Sequence, residues 1–100
     1  MTEKVLPEII ELLGEYKAGL VWHHCRDGRA CVGDPGLPDL IIVSCWGVLW
    51  VEVKPHSGST LKPGQTTWRH MLLASGQRHV IWTQADLDSG KVRADLESIA

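Results

Sequence analysis

Three ionisable residues stand where charge is expensive. Asp39 opens the apolar run Leu40-Ile41-Ile42-Val43, and Glu52 and Lys54 close the run that begins at Val48-Leu49-Trp50-Val51. Both runs are too apolar to face water on either side, so they belong in the covered middle of a sheet. A charged side chain is seldom placed there unless it is paired or binds something. Two carboxylates held together repel unless a cation lies between them. A hard divalent ion such as Mg2+ or Mn2+ suits one or two carboxylates plus waters and a phosphate. The chemistry such a trio would serve is cation-assisted attack of water on a phosphate ester, with an ammonium at the same centre.

The element that would position the trio is a β-hairpin. Ser44-Cys45-Trp46-Gly47 separates the two runs and has the length and the glycine of a tight connection. Side chains alternate across a strand, so Glu52 and Lys54 share one face and Val51 and Val53 take the other. An even loop, either Cys45-Trp46 or Trp46-Gly47, sets Asp39 opposite Glu52 or opposite Lys54. Opposed residues point to the same face, so either register gathers two acids and one amine. An odd loop or a bulge would separate them.

Length and composition bound the rest. One hundred residues, 44% of them apolar, suit one domain with one core. No apolar run reaches the roughly 20 residues of a membrane span, and no signal peptide is visible. Three cysteines, Cys25, Cys31 and Cys45, are an odd number and no disulfide framework, so a reducing cytoplasm is expected. A net charge of −2 neither advertises nor excludes a nucleic-acid partner, because carboxylates that hold a cation count as negative in that sum.

Residues 2 to 17 have the spacing of an amphipathic helix, with Val5, Leu6, Ile9, Ile10, Leu12, Leu13 and Tyr16 recurring. It begins at Thr2 or at Pro7 and weakens at Gly14. Glu11 falls opposite the apolar stripe and Glu3 at its edge. Glu3 is thus the better helix-borne acid for the site, the alternative being a solvated first-turn carboxylate. Leu20 to Cys25 reads as a strand, followed by a loop rich in turn formers to Pro35. His23, His24, Cys25 and Cys31 invite a zinc reading, but neighbours on a strand face opposite ways and the spacing is not that of a known zinc module. In another reading His23 or His24, with Arg26 and Arg29, contacts phosphates.

Beyond Lys54 a polar loop, 55 to 60, leads to a second helix that starts at Pro63 and runs to about Ala74, with Trp68, Met71 and Leu72 inward. Gln65, Arg69 and His70 share another face. Arg78 to Trp82 is a short strand, so the chain crosses over from the hairpin's second strand to a parallel neighbour. The helix N-terminus then lies by Glu52 and Lys54, where free N–H groups attract a phosphate and Gln65 can reach. Asp86 to Gly90 reads as a turn, and Val92, Leu96 and Ile99 as a closing helix. Trp68 and Trp82 read as core, and Trp46 as an exposed tip residue able to stack on a base or on a second copy.

Gly36-Leu37-Pro38-Asp39, an apolar hairpin, Glu52-Val53-Lys54 and then Gln65 at a helix start together resemble the PD-(D/E)xK nuclease signature. With the Trp82 strand followed by Asp86-Leu87, the chain resembles the VRR-NUC branch in its small stand-alone phage form. The resemblance runs from Glu3 to Leu96. It implies an α/β fold with an αβββαβ core, a mixed sheet flanked by helices, and Mg2+- or Mn2+-dependent cleavage of DNA. It assigns Asp39, Glu52 and the carbonyl of Val53 to the metal, with Glu3 as a further acid. It gives Lys54 and Gln65 the handling of water and phosphate. It also implies a homodimer that resolves Holliday junctions, and a small chain gripping branched DNA would gain from two-fold pairing. Lys62 replaces the hydroxyl cap usual in that family and adds a cation facing phosphate, and Arg69 joins the nucleic-acid-binding set. Near two acids Lys54 should stay protonated, which favours charge stabilisation over base chemistry unless a metal cancels those charges. The alternatives are a nicking or restriction-like enzyme, a silent nucleic-acid-binding module of the same fold, zinc binding, and an exposed Glu52–Lys54 salt bridge with no further role.

Overall fold

The first helix forms where apolar residues fall at helical spacing. In the structure, a computed structural model, residues 2–16, 19–24, 32–56 and 58–100 are described, the side chains of residues 2–4 excepted. Helix α1 spans Thr2–Leu13 and passes into a 3-10 turn at Gly14–Tyr16. The expected helix to residue 17 therefore tightens at Gly14, a poor helix former. Pro7 lies inside α1 rather than at its start.

Four strands follow the order β1-β2-β3-β4 across one sheet. They are β1 (Val21–His24), β2 (Leu40–Ser44), β3 (Gly47–Val53) and, after helix α2 (Pro63–Ala74), β4 (Arg78–Trp82). The first three make an antiparallel meander, and β4 joins β3 in parallel, as a helical crossover requires. The hairpin thus occupies the middle of the sheet, where its apolar composition places it. Its loop is Cys45-Trp46, with Ser44 opposite Gly47. Neither loop residue has positive φ. The hydroxyl of Ser44 instead holds the turn, accepting the N–H of Trp46 at 2.9 Å and donating to the carbonyl of Ile99.

The core lies on one face of the sheet. Leu40, Ile42, Leu49, Val51, Val53 and Trp82 project there and pack against Val5, Ile9, Leu12 and Leu13 of α1 and Val92, Leu96 and Ile99 at the C-terminus. Each such side chain, fully buried, contributes roughly 1.5–3 kcal/mol. Trp82 is completely buried, and its indole N–H is satisfied by Asp95 at 2.9 Å.

The expected turn at 86 to 90 is a helix, α3 (Gln84–Ser89), followed by α4 (Lys91–Glu97). A reciprocal cap explains it. Thr83 Oγ1 accepts the Asp86 N–H at 3.3 Å, and Asp86 Oδ2 accepts the Thr83 N–H at 3.0 Å. Gly90, at φ 90°, ends one helix and starts the next. Met71, expected inward, is 63% exposed, and Trp68 is half-buried with its indole on the Asp34 carbonyl at 3.3 Å. Among the described residues no helix is long and apolar enough to cross a membrane.

Candidate metal and phosphate site

The register settles which alternative the turn makes. Leu40 pairs with Val51, so Asp39, one residue earlier, stands opposite Glu52, one residue later. Both project to the sheet face away from the core, which is the face α2 crosses. Asp39 is grounded: its Oδ2 accepts the backbone N–H of Val53 at 2.8 Å. That bond ties the start of β2 to the end of β3 and fixes the acid against its neighbour.

Glu52 is the stressed member. It is 2% exposed, and its Oε1 is buried with no hydrogen-bond partner among the described residues. Its Oε2 accepts one bond, from Gln65 Nε2 at 3.3 Å. Burial first, and then the carboxylate of Asp39 alongside, push its pKa up to about 9, against the opposing pull of Lys54 and Lys62. A carboxylate so placed has two ways to become comfortable: hold a proton, or share a cation with Asp39.

Gln65 joins the two elements. Its Oε1 accepts from Lys54 Nζ at 2.9 Å and from the Lys62 N–H at 2.8 Å, while its amide donates to Glu52. One side chain therefore orients the ammonium, touches the acid and closes the first turn of α2. Lys62 is the N-cap residue and supplies no acceptor of its own, so only the Gln65 half of a reciprocal cap is made. Lys54 is placed by β3 continuing one step further, its N–H donating to the Trp82 carbonyl at 2.9 Å.

These groups surround an open pocket of about 360 Å3, walled by Asp39, Glu52, Val53, Lys54, Lys62 and Gln65. Leu6 of α1 and Ser59 of the following loop complete its rim. Sequence reasoning missed both of these. It also missed a close approach beneath the pocket. The loop bearing Gly36 lies against the backbone of Gly64 and Gln65, and both glycines follow a proline. The paired Pro-Gly steps were the available signal, since each marks a sharp turn.

Other expected residues fall elsewhere. Arg69 is turned into the fold, its Nη1 donating to His79 Nδ1 at 2.8 Å and to the His79 carbonyl at 3.2 Å. His79 is buried, and burial followed by the neighbouring guanidinium lowers its pKa to about 4. His24 lies on β1 and lines a neighbouring hollow. Glu3 belongs to α1, whose Leu6 borders the pocket, but its side chain is outside the described part. Arg26, Arg29, Cys25 and Cys31 also lie outside the described residues. His23 and His24 are consecutive on β1 and face opposite ways. Among the described residues no group of three His, Cys, Asp or Glu gathers.

The donor set available is therefore two carboxylates, one of them with a free buried oxygen. It suits a hard cation that keeps several of its own waters, as Mg2+ and Mn2+ do. It does not suit zinc, which wants four protein ligands, or three and an open position. No family model matches the chain, and no curated protein or solved structure matches it significantly.

Proposed function

We propose that this chain is a Mg2+- or Mn2+-dependent DNA endonuclease with a PD-(D/E)xK core, acting on branched DNA as a homodimer. The observation that carries this reading is the Asp39–Glu52 pair. Two acids face each other on one sheet face, one anchored by a backbone N–H and one with an unpartnered buried oxygen. A binding module would gain nothing from two carboxylates directed at a polyanion.

Asp39 and Glu52 would hold the cation. When bound, it would lower the pKa of a coordinated water and neutralise charge on the scissile phosphate. Lys54, directed by Gln65, holds a positive charge beside the attacked phosphorus and donates to a phosphate oxygen as charge builds there. Gln65 keeps that ammonium from collapsing onto Glu52 in a simple ion pair, because its carbonyl oxygen accepts a hydrogen bond from Lys54 Nζ instead. Lys62 and the free N–H groups at the start of α2 meet a flanking phosphate.

The test is incubation with a four-way junction, a flap, a duplex and a single strand, each with Mg2+, Mn2+ or EDTA. Symmetric cuts in the junction, abolished by EDTA and by Glu52→Ala, are expected. Cuts in plain duplex instead would make the enzyme nicking or restriction-like. An absence of cleavage on every substrate with both ions removes the nuclease reading.

A further inference from the structure

A second hollow adjoins the first. It has a volume of about 540 Å3 and is lined by Leu6, Pro7 and Ile10 of α1 and by Trp22, His23 and His24 of β1. Leu6 lines both hollows, so they meet at α1 near the end of the sheet where β2 begins, with Asp39 and Glu52 on one face and Trp22 and His24 on the other. Trp22 pairs with Ile42 and His24 with Leu40, and opposed residues share a face, so both rings stand on the α1 side of the sheet.

This wall is unusual in composition. The indole of Trp22 and the imidazole of His24 stand against three aliphatic side chains, while His23 between them turns its ring to the opposite face of the sheet. Trp22 remains 41% exposed, an aromatic surface left open among the described residues. The Nδ1 of His24 is buried and has no hydrogen-bond partner among the described residues.

Flat, apolar and beside a phosphate-handling centre, the hollow suits a nucleobase. Every base has a π-face, and stacking on an aromatic ring is indifferent to sequence. A base inside a duplex already has both faces covered by its neighbours, so the base that enters must be unpaired. Lys54 and Lys62 carry the positive charge that would hold the adjoining backbone at the pocket. We propose that Trp22 is a stacking platform for an unpaired base of the DNA strand whose phosphate lies at Asp39 and Glu52. This deepens the nuclease reading, from which it takes the position of the phosphate. It makes the substrate one with a splayed or single-stranded nucleotide at the cut.

The experiment is equilibrium binding of the full chain to a fluorescently labelled fork with one single-stranded arm, in EDTA. The arm is intact or carries one abasic nucleotide, moved stepwise from the branch. One abasic position is expected to weaken wild-type binding about tenfold, the range of a single base–aromatic stack. Trp22→Ala is expected to weaken binding to the intact fork by about the same factor and to be blind to that abasic position. Trp22→Phe, which keeps a ring, retains most of the affinity. Indifference of the wild type to every abasic position overturns the platform without use of any variant. So do losses from Trp22→Ala and the abasic site that multiply, which is the result if a peptide or a second copy fills the hollow. Cleavage with no abasic effect removes the platform and leaves the nuclease. An abasic effect without cleavage in Mg2+ or Mn2+ removes the nuclease and leaves the platform. Failure to bind any fork removes both.

Discussion

Gly36 and Gly64 meet backbone to backbone. A Cβ on Gly36 would stand 2.2 Å from the carbonyl carbon of Gly64 and 2.5 Å from the amide nitrogen of Gln65, and Gly36 has φ +98°. The loop that delivers Asp39 is thereby seated on the helix turn that delivers Gln65. Gly36→Ala combines a strained φ with a clash against backbone, which cannot rotate away. It should lower the thermal midpoint by more than about 8 °C. Gly76→Ala is the control, because Gly76 has φ +87° but open space around it. Its loss should be confined to the strain, about half as large or less. Equal losses in the two variants, measured by thermal unfolding, would mean that the close approach carries no energy.

Glu52 makes the stability of the cation-free protein depend on pH. Its folded pKa, about 9, lies above the ordinary 4.5, so folding takes up a proton between those values. The stability this group contributes is complete below about pH 4.5 and is lost as pH rises towards 9. Mn2+ competes with that proton, so the ion should bind more tightly as pH rises and should flatten the slope. Urea midpoints across this range, in EDTA and in millimolar Mn2+, check both statements. An unchanged slope in Glu52→Gln would locate the titration elsewhere.

Asp39, Lys54 and Gln65 should separate three roles. Lys54→Ala should keep Mn2+ binding in a calorimetric titration and lose cleavage. Asp39→Ala should lose both, and should also destabilise by about 1–3 kcal/mol, because the Val53 N–H loses its acceptor. Asp39→Asn keeps an acceptor for that N–H and should recover most of the stability while still losing the ion. Gln65→Ala frees the ammonium that it now holds at 2.9 Å, and cleavage should fall by about 10²-fold with Mn2+ affinity little changed. Cleavage surviving in Asp39→Ala would end the assigned role.

How far the chain can be read without coordinates differs from element to element. Residues 40 to 53 show their hairpin directly, because two β-branched runs around a short loop have few other arrangements. The start of α2 at Pro63 and the strand at Arg78–Trp82 are equally plain, and together they imply the parallel crossover that brings Gln65 to Glu52. Helix α3 is hidden, since Asp86-Leu87-Asp88-Ser89-Gly90 has turn composition and only the reciprocal cap between Thr83 and Asp86 tips it to helix. Met71 misleads because helical spacing marks a stripe but not how far the sheet beneath extends. The site itself is legible in types but not in tension. That Asp39 is anchored and Glu52 is left with a bare oxygen depends on a one-residue choice of turn.

His79 should act in the opposite sense to Glu52. Burial and Arg69 hold its folded pKa at about 4, below the ordinary 6.5. The stability it contributes is present above about pH 6.5 and is lost as pH falls towards 4. In the wild type this overlaps the lower end of the Glu52 titration, so Glu52→Gln should expose it as a clean acid-side decline. Imidazole resonances followed by NMR should show one histidine that stays neutral well below pH 6. Arg69→Ala should raise the pKa of that histidine. A histidine set that all titrates near 6.5 would contradict the buried Arg69–His79 contact.

The bare oxygen of Glu52 has a consequence for how such a chain ages. A buried acid next to another acid weakens the apoprotein, and exchanging it for an amide or an aliphatic side chain relieves the repulsion. Heat resistance and the proposed cation chemistry would therefore pull position 52 in opposite directions. Copies released from selection for their chemistry would shed this carboxylate early and become sturdier as they did so.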